Sequence, residues 1–173
     1  MQALVFWKTV IMDQVNFLDR VIGLLSEHNI QYCVIGGQAV NAYVDPVVSL
    51  DLDLVIAVEQ FISVRVLFET HFEVKEFPHS LNVYLEGSEL RVQIQTDPRY
   101  DSFPTRAHQH VVLGLELPVA SMVDTLQGKI WAASDPERRA SKRQKDLADI
   151  ARLLESYPTL RAQVPPEILS KLV

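Results

Sequence analysis

The sequence has one cysteine, Cys33, only six glycines and no long apolar segment. A single cysteine excludes an intrachain disulfide and a cysteine-rich zinc fold, and it is typical of a reducing compartment. No apolar stretch approaches the length of a membrane-spanning helix. Lys8 interrupts the N-terminal segment where a signal peptide would carry an unbroken apolar run. We therefore expect a cytoplasmic globular protein without a signal peptide or membrane partner.

Positive charge is scarce overall but is concentrated near the C-terminus. The 173 residues carry a net charge of −6, and 48% are hydrophobic, which is enough for a core of ordinary size. Residues 129–152 contain seven basic and four acidic residues. The net charge argues against a protein that coats DNA through general positive charge. The basic segment itself predicts either an anion site or a solvated pair of helices.

Hydrophobic spacing predicts a mixed fold in the first part of the chain. Apolar residues recur either at helical spacing or in short runs bounded by turn residues. The pattern predicts helices over 12–28, 38–44 and 60–71, and strands over 32–35, 49–58, 72–77, 81–85 and 89–95. The turn from Glu86 to Glu89 should join the last two strands as a hairpin. Residues 96–120, with three prolines, are expected to be irregular.

The end of the chain is predicted to be helical. Ser121 and Ser141 are expected to cap two helices, with Asp124 at the capping-box position of the first. Pro165 and Pro166 can start a last short helix. The fold class is therefore α+β, a small mixed sheet with flanking helices over 1–115. A C-terminal helical section over 116–173 should pack on this core, so that the whole forms one compact domain.

The segment Ser49-Leu-Asp-Leu-Asp-Leu-Val-Ile alternates apolar and acidic residues. Leu50, Leu52 and the later apolar residues should point into a core, while Asp51 and Asp53 share the other face about 7 Å apart. Neighbouring carboxylates on one face repel each other. A divalent cation removes that repulsion, and Mg²⁺ is bound by one or two carboxylates together with phosphate oxygens and water. A solvated polar face with two incidental aspartates is the alternative.

Fourteen residues before Asp51, the run Val-Ile-Gly36-Gly37-Gln-Ala-Val predicts a strand that enters a helix through two glycines. Glycine permits close backbone approach, and the free N–H groups of a helix N-terminus attract phosphate. The segment is not a Walker loop, because no Gly-Lys-Ser/Thr follows. A tight turn that needs only flexible backbone is the alternative.

The order strand, Gly-Gly, helix, then Ser-x-Asp-x-Asp resembles the nucleotidyltransferase superfamily, which has a polymerase-β-like fold. The resemblance implies that Gly36, Gly37 and Ser49 line a nucleoside triphosphate. It implies that Asp51 and Asp53 hold Mg²⁺ or Mn²⁺ for attack on the α-phosphate. This matches the general requirements of metal-assisted, in-line phosphoryl transfer.

A third carboxylate, which many members of that superfamily place on a later strand, is missing from the expected position. In the segment 89–95, Gln93 and Gln95 stand on the polar face instead. Amides are poor Mg²⁺ ligands and cannot act as a base. Asp97 lies two residues further along and is the candidate substitute.

The C-terminal helices resemble those of the abortive-infection, or type IV toxin–antitoxin, branch of the superfamily. That branch has a required lysine on one helix and a Lys-Asp-x-x-Asp helix after it, which Lys129 and Asp146 match. The resemblance implies that Lys129 contacts nucleotide phosphate and that Asp146 completes the active site. Taken alone, Lys129 can be a surface lysine, and Asp146 and Asp149 can pair with lysines one turn earlier.

The predicted function is metal-dependent transfer of a nucleoside monophosphate from an NTP to an RNA, tRNA or protein acceptor. A toxin-like role with an antitoxin partner is included in this prediction. The alternative is a degenerate relative that binds a nucleotide or a partner without chemistry, which the Gln93 and Gln95 face favours.

Overall fold

A computed structural model describes residues 2–10 and 12–172. Its strands are β1 (Tyr32–Ile35), β2 (Asp51–Ile56), β3 (Glu73–Phe77), β4 (Ser80–Tyr84), β5 (Arg91–Gln95), β6 (His108–Val112) and β7 (Leu115–Val119). Its α-helices are α1 (Gln2–Val10), α2 (Phe17–Glu27), α3 (Gly36–Tyr43), α4 (Phe61–His71), α5 (Met122–Ser134), α6 (Ala140–Ser156) and α7 (Pro166–Leu169). Short 3-10 helices cover Val58–Gln60, Pro98–Tyr100, Phe103–Arg106 and Pro158–Gln163. The predicted α+β class is confirmed.

The strands form one mixed sheet in the order β3-β4-β5-β2-β1-β7-β6. β2 pairs with β5, and β1 with β7, in parallel, whereas the other neighbours are antiparallel. The register places Asp51 opposite Arg91 and Asp53 opposite Gln93. Because residues paired across neighbouring strands point to the same face, this register collects the polar side chains of β2 and β5.

The two faces of β2 have different environments. Leu52 and Leu54 are fully buried in the core formed with α2 and α4, while Asp51 and Asp53 alternate with them toward the other face. Leu50 was expected in the core, but it is 36% exposed. That expectation is wrong because β2 begins at Asp51, so the alternation does not extend to Leu50.

A second core lies between α3 and the C-terminal helices. Val40 of α3 packs with buried apolar residues of α5 and α6, among them Leu126, Ile130 and Ile150. Leu160 and the short α7 complete this cluster. Burial on both sides of α3 fixes the position of its N-terminus relative to the sheet and to α6.

The prediction that 96–120 is irregular is wrong, because β6 and β7 form a hairpin there. Leu113 and Gly114 both have positive φ angles, 52° and 80°, as a two-residue type I′ turn requires. Leucine rarely adopts this conformation, so the sequence does not indicate the turn. Pro118 fits in β7 because, in the described part of the chain, β1 and β7 pair at Val34 and Val119 alone.

Two predicted helix starts are also wrong. The helix expected from residue 12 begins at Phe17, because Met12 and Asn16 have left-handed backbone conformations. The buried Asp13 carboxylate instead accepts hydrogen bonds from the N–H groups of Phe17 and Leu18. At the second site, α6 begins at Ala140 and not after Ser141.

The Ser121 cap is confirmed, since its hydroxyl accepts from Asp124 N–H at 3.1 Å. The hairpin between β4 and β5 and the helix after Pro165 are confirmed as well. β7 crosses the expected boundary between the two sections at 115–116, and the division into sections stays a prediction. Their outer ends, Met1 and Val173, lie outside the described residues.

In the described part of the chain, no helix is both long enough and apolar enough to cross a membrane.

Candidate active site

A pocket of about 350 Å³ lies between the polar face of β2 and β5, the N-terminus of α3, and helices α5 and α6. This volume is in the range of small-molecule sites. The residues that the sequence singled out come together here, with the exception of Asp97. Those that line the pocket are Gly36, Gly37, Ser49, Asp51, Asp53, Gln93, Gln95, Lys129 and Asp146.

Asp51 and Asp53 each have a buried carboxylate oxygen, Oδ1, without a hydrogen-bond partner among the described residues. Arg91 Nε lies 2.8 Å from Asp51 Oδ1, yet the two groups are not aligned as a hydrogen bond. Burial, followed by the charge of Asp51, raises the pKa of Asp53 to about 6, although nearby cations oppose the shift. Arg91 offsets part of the charge of Asp51, whereas Asp53 has no cation within ion-pair distance among the described residues and is costly to bury in its charged form.

This pair fits a hard divalent cation. Mg²⁺ is typically held by one or two protein carboxylates and completes its shell with water and phosphate oxygens. Among the residues described, no group of three or more His, Cys, Asp or Glu side chains is placed to hold a metal. The protein therefore offers two carboxylates, and a cation there depends on other ligands for the remainder of its shell.

Gly36 brings α3 into contact with β2. It is the first residue of α3 and has a φ angle of +69°, and a Cβ at this position would overlap the Asp53 carboxylate. At Gly37, by contrast, a Cβ would lie 3.9 Å from the nearest atom, Asp149 Oδ2. The N-cap residue Ile35 makes no side-chain cap, so the first N–H groups of α3 are available to a bound anion.

The loop before β2 is fixed to α3 by side-chain amides. Asn41 donates to the Val47 carbonyl at 2.8 Å and accepts from Val47 N–H at 3.0 Å. The buried Gln38 donates to the Ser49 carbonyl at 3.3 Å. The Ser49 hydroxyl accepts from Asp51 N–H. Ser49 is thus held at the pocket by the same helix that presents the two glycines.

The three candidates for a third acidic position have different locations. Gln93 and Gln95 line the pocket, with Gln93 beside Asp53 in the parallel register. Asp97 does not line it, because its carboxylate binds the Arg99 guanidinium at 2.8 Å and caps the 3-10 helix Pro98–Tyr100. The Arg99 guanidinium lowers the pKa of Asp97. The pocket therefore has an amide where a third carboxylate was sought.

Lys129 and Asp146 lie in an ion-pair network between α5 and α6. Lys129 Nζ lies 3.1 Å from Asp146 Oδ1 and 2.8 Å from Asp149 Oδ2. Arg138 binds both oxygens of Asp146, at 2.8 and 3.1 Å. Burial disfavours the charged form of Lys129, but Asp149 and Asp146 outweigh this effect and raise its pKa. Among the described residues, Asp146 and Asp149 therefore pair with Lys129 and with arginines, and not with the lysines one turn earlier.

Arg152 extends the network to α3. Its guanidinium binds Asp149 Oδ1 at 2.8 Å, Asn41 Oδ1 at 3.0 Å and the Asp45 carbonyl. Sequence reasoning did not identify Arg138 and Arg152 as partners of the aspartates, or the contact of Asp149 with Lys129. The helical period could have placed Asp149 and Arg152 at the site. Positions 142, 145, 146, 149 and 152 fall on one face of α6, and all of them line the pocket.

The first prediction concerns the stability conferred by Asp53. Its pKa is about 6 in the fold and about 3.8 ordinarily, so stability is lost as the pH rises through this window. Asp53→Asn removes the titration, and we expect its advantage over the wild type to grow from pH 4 to 6 and reach about 2 kcal/mol. Urea unfolding across this range measures the difference. The exposed Glu155→Gln variant is the charge-matched control, and a pH-independent difference for Asp53→Asn would contradict the prediction.

The second prediction compares the two glycines. Gly36→Ala should lower the free energy of unfolding by about 2 kcal/mol or more, because it combines a strained φ angle with overlap on Asp53. Gly37→Ala should change stability by less than about 1 kcal/mol, since its position is helical and open. Chemical denaturation of both variants provides the comparison. Equal losses would show that α3 does not approach β2 as described.

No protein-family model matches the chain, and no curated protein matches it in sequence. Solved structures match it in fold. The solution structure of the antibiotic-resistance factor ANT(2'')-Ia gives a TM-score of 0.61 at 16% identity, over 88% of this chain and 91% of that one. The crystal structure of ANT(2'')-Ia in complex with adenylyl-2''-tobramycin gives 0.58 at 18% identity, over 93% and 99%.

The lincomycin-bound lincosamide antibiotic adenylyltransferase LnuA gives a TM-score of 0.53 at 12% identity, over 79% of this chain and 95% of that one. At such identities the similarity concerns the fold. The predicted resemblance is confirmed for the fold, whereas these structures do not distinguish the toxin–antitoxin branch. From the glycine-led helix, the acidic strand and these structural matches together, we conclude that the chain has the fold of the nucleotidyltransferase superfamily.

Proposed function

We propose that the protein transfers a nucleoside monophosphate from an NTP to an acceptor in a reaction that requires a divalent cation. The observation that carries this proposal is the Asp51–Asp53 pair. Two buried carboxylate oxygens, which have no hydrogen-bond partner among the described residues, face a pocket that also receives the N-terminus of a helix. A divalent cation would bind the carboxylate oxygens, and the phosphates of a nucleotide would accept hydrogen bonds from the N–H groups of the helix.

Asp51 and Asp53 would hold Mg²⁺ or Mn²⁺, which when bound polarises a phosphoryl oxygen and neutralises developing negative charge. Gly36, Gly37 and Ser49 would border the triphosphate, with the free N–H groups of α3 directed at its oxygens. Since the pKa of Asp53 is about 6, its carboxylate is charged at neutral pH and is able to bind a cation. Below that pH, protonation would compete with the cation.

Roles for Lys129 and Asp146 stay predictions at this stage. The expectation is that Lys129 contacts phosphate and that Asp146 supports the metal or the acceptor hydroxyl. Both side chains are nevertheless engaged in ion pairs with each other and with neighbouring groups. If Lys129 or Asp146 contacts the substrate, the existing ion pairs must rearrange, or the substrate must bind beside the present partners.

The acceptor also stays a prediction. ANT(2'')-Ia is known with an adenylylated tobramycin and LnuA with lincomycin, so small-molecule acceptors occur on this fold. An RNA, tRNA or protein acceptor, a toxin-like role, an antitoxin partner and a cytoplasmic location were predicted from the sequence.

A binding module without chemistry is the second candidate function. Gln93 occupies the position beside Asp53 where a carboxylate would strengthen the metal site and serve as a base. A protein that only binds nucleotide would retain the pocket and the aspartates but would not turn over. Metal-dependent turnover with an acceptor separates the two functions.

The third prediction tests the site by calorimetry. Each of the four NTPs is titrated into the wild type, with and without Mg²⁺, and into the double variant Asp51→Asn/Asp53→Asn. We expect the wild type to bind at least one NTP in a Mg²⁺-dependent manner. The double variant should lose this dependence, because neutral amides are poor Mg²⁺ ligands.

The control for that experiment is Glu59→Gln/Glu155→Gln, which removes two negative charges from exposed positions away from the pocket. It should bind as the wild type does. If the wild type binds no NTP, the proposed function is overturned and an interaction module is favoured. A preferred base would direct the search for the acceptor.

The fourth prediction concerns Arg91, whose Nε lies 2.8 Å from Asp51 Oδ1. Its charge opposes a cation at the aspartates, so Arg91→Gln should tighten Mg²⁺ binding by about three- to tenfold, the effect expected for a partly exposed ion pair. Arg161→Gln, at an exposed position outside the pocket, is the matched control. Unchanged or weaker Mg²⁺ binding in Arg91→Gln would show that the cation does not bind at Asp51.

A further inference from the structure

The charges around the pocket are separated into two sides. Asp51 and Asp53 form an acidic side on β2. The opposite side is formed by α5, α6 and the segment between them, where Lys129, Arg138 and Arg152 share the carboxylates of Asp146 and Asp149. Because three cations share two carboxylates, this network alone carries an excess positive charge toward the pocket.

Lys129 is poorly placed to bind a ligand directly. Its side chain is only 11% exposed, and its Nζ lies within 3.1 Å of two carboxylates, on Asp146 and Asp149. An ammonium group has three N–H donors, and two of them are directed at these partners. Its geometry is that of a positioning residue, which holds α6 against α5.

Lys142 and Lys145 differ from Lys129 in this respect. Both line the pocket, and neither forms an ion pair or a side-chain hydrogen bond with any described residue. They are three residues apart on α6, so they share one helix face. Both lysines therefore border the same pocket as Asp51 and Asp53.

From this arrangement we infer that Lys142 and Lys145 bind the polyphosphate chain of the nucleotide from the α6 side, opposite the aspartates. The inference rests on the proposed function and deepens it, because it assigns the phosphate contacts to lysines that are not otherwise paired. A chain of phosphates between these lysines and a cation on Asp51 and Asp53 would neutralise both sides of the pocket. The free N–H groups of α3 would contact the same chain from a third direction.

Inorganic tripolyphosphate is the probe that tests this inference, since it has the phosphates without a base or sugar. Its affinity is measured by calorimetry with Mg²⁺ at pH 7.5 for the wild type, Lys142→Gln, Lys145→Gln and the double variant. We expect each single change to weaken binding by about tenfold and the double change by more, as for loss of charged hydrogen bonds. The dependence of affinity on salt should also become shallower.

Two sets of variants control for charge and fold. Arg139→Gln removes one positive charge immediately before α6, at an exposed position that does not line the pocket, and should bind as the wild type does. Lys142→Arg/Lys145→Arg keeps both charges and should retain affinity within about threefold. Melting temperatures of the glutamine variants should stay near that of the wild type, because neither lysine leaves an unpaired carboxylate. Lys129→Met should melt at a clearly lower temperature, because it removes the buried cation that Asp146 and Asp149 share.

Wild-type affinity for tripolyphosphate in the double glutamine variant would overturn the inference, and so would absence of binding by the wild type. A loss of affinity for a single-stranded RNA of 20 nucleotides, with tripolyphosphate binding retained, would overturn it as well and would assign the lysines to an acceptor. Failure of the proposed function is distinguishable. If only the proposed function fails, tripolyphosphate binding still depends on Lys142 and Lys145, but no transfer from an NTP to an acceptor is measured.

Discussion

The contact between the backbone of Gly36 and the carboxylate of Asp53 constrains the rest of the site. Helix α3 can approach β2 this closely only because its first residue lacks a Cβ and adopts a positive φ angle. The approach buries part of Asp53, which raises the pKa of that carboxyl. It also brings the free N–H groups of the helix beside the aspartates. The N–H groups of α3 and the carboxylates of β2 thus meet at the pocket through one packing constraint.

The ion-pair network between α5 and α6 forms the opposite wall. Its buried charges are costly to desolvate, and they are tolerated because each carboxylate has more than one cationic partner. Through Arg152, the same network is tied to Asn41 and so to the loop that carries Ser49. The wall is consequently fixed relative to α3, and the pocket between them has a defined width before any ligand binds.

Much of the fold followed from the sequence where local patterns were strong. The strands β1 and β2, the β4–β5 hairpin and the cap at Ser121 were predicted because alternation, turn residues and capping residues act over a few positions. The β6–β7 hairpin was missed because its turn uses Leu113 in a conformation that leucine seldom adopts. The start of α2 was missed because the Asp13 cap is set by backbone conformations that the spacing of apolar residues does not reveal.

The sequence by itself determined which residues of β2 and α3 meet at the pocket. The alternation of Asp51 and Asp53 with leucines, and the paired glycines before them, are local patterns with direct physical meanings. The tertiary structure alone decided how the charges pair. The packing of α5, α6 and α3 decides which cations meet Asp146 and Asp149. It also leaves Lys142 and Lys145 without an ion pair to any described residue. Electrostatic partners are chosen by distance in space, which the spacing of residues along the chain does not fix.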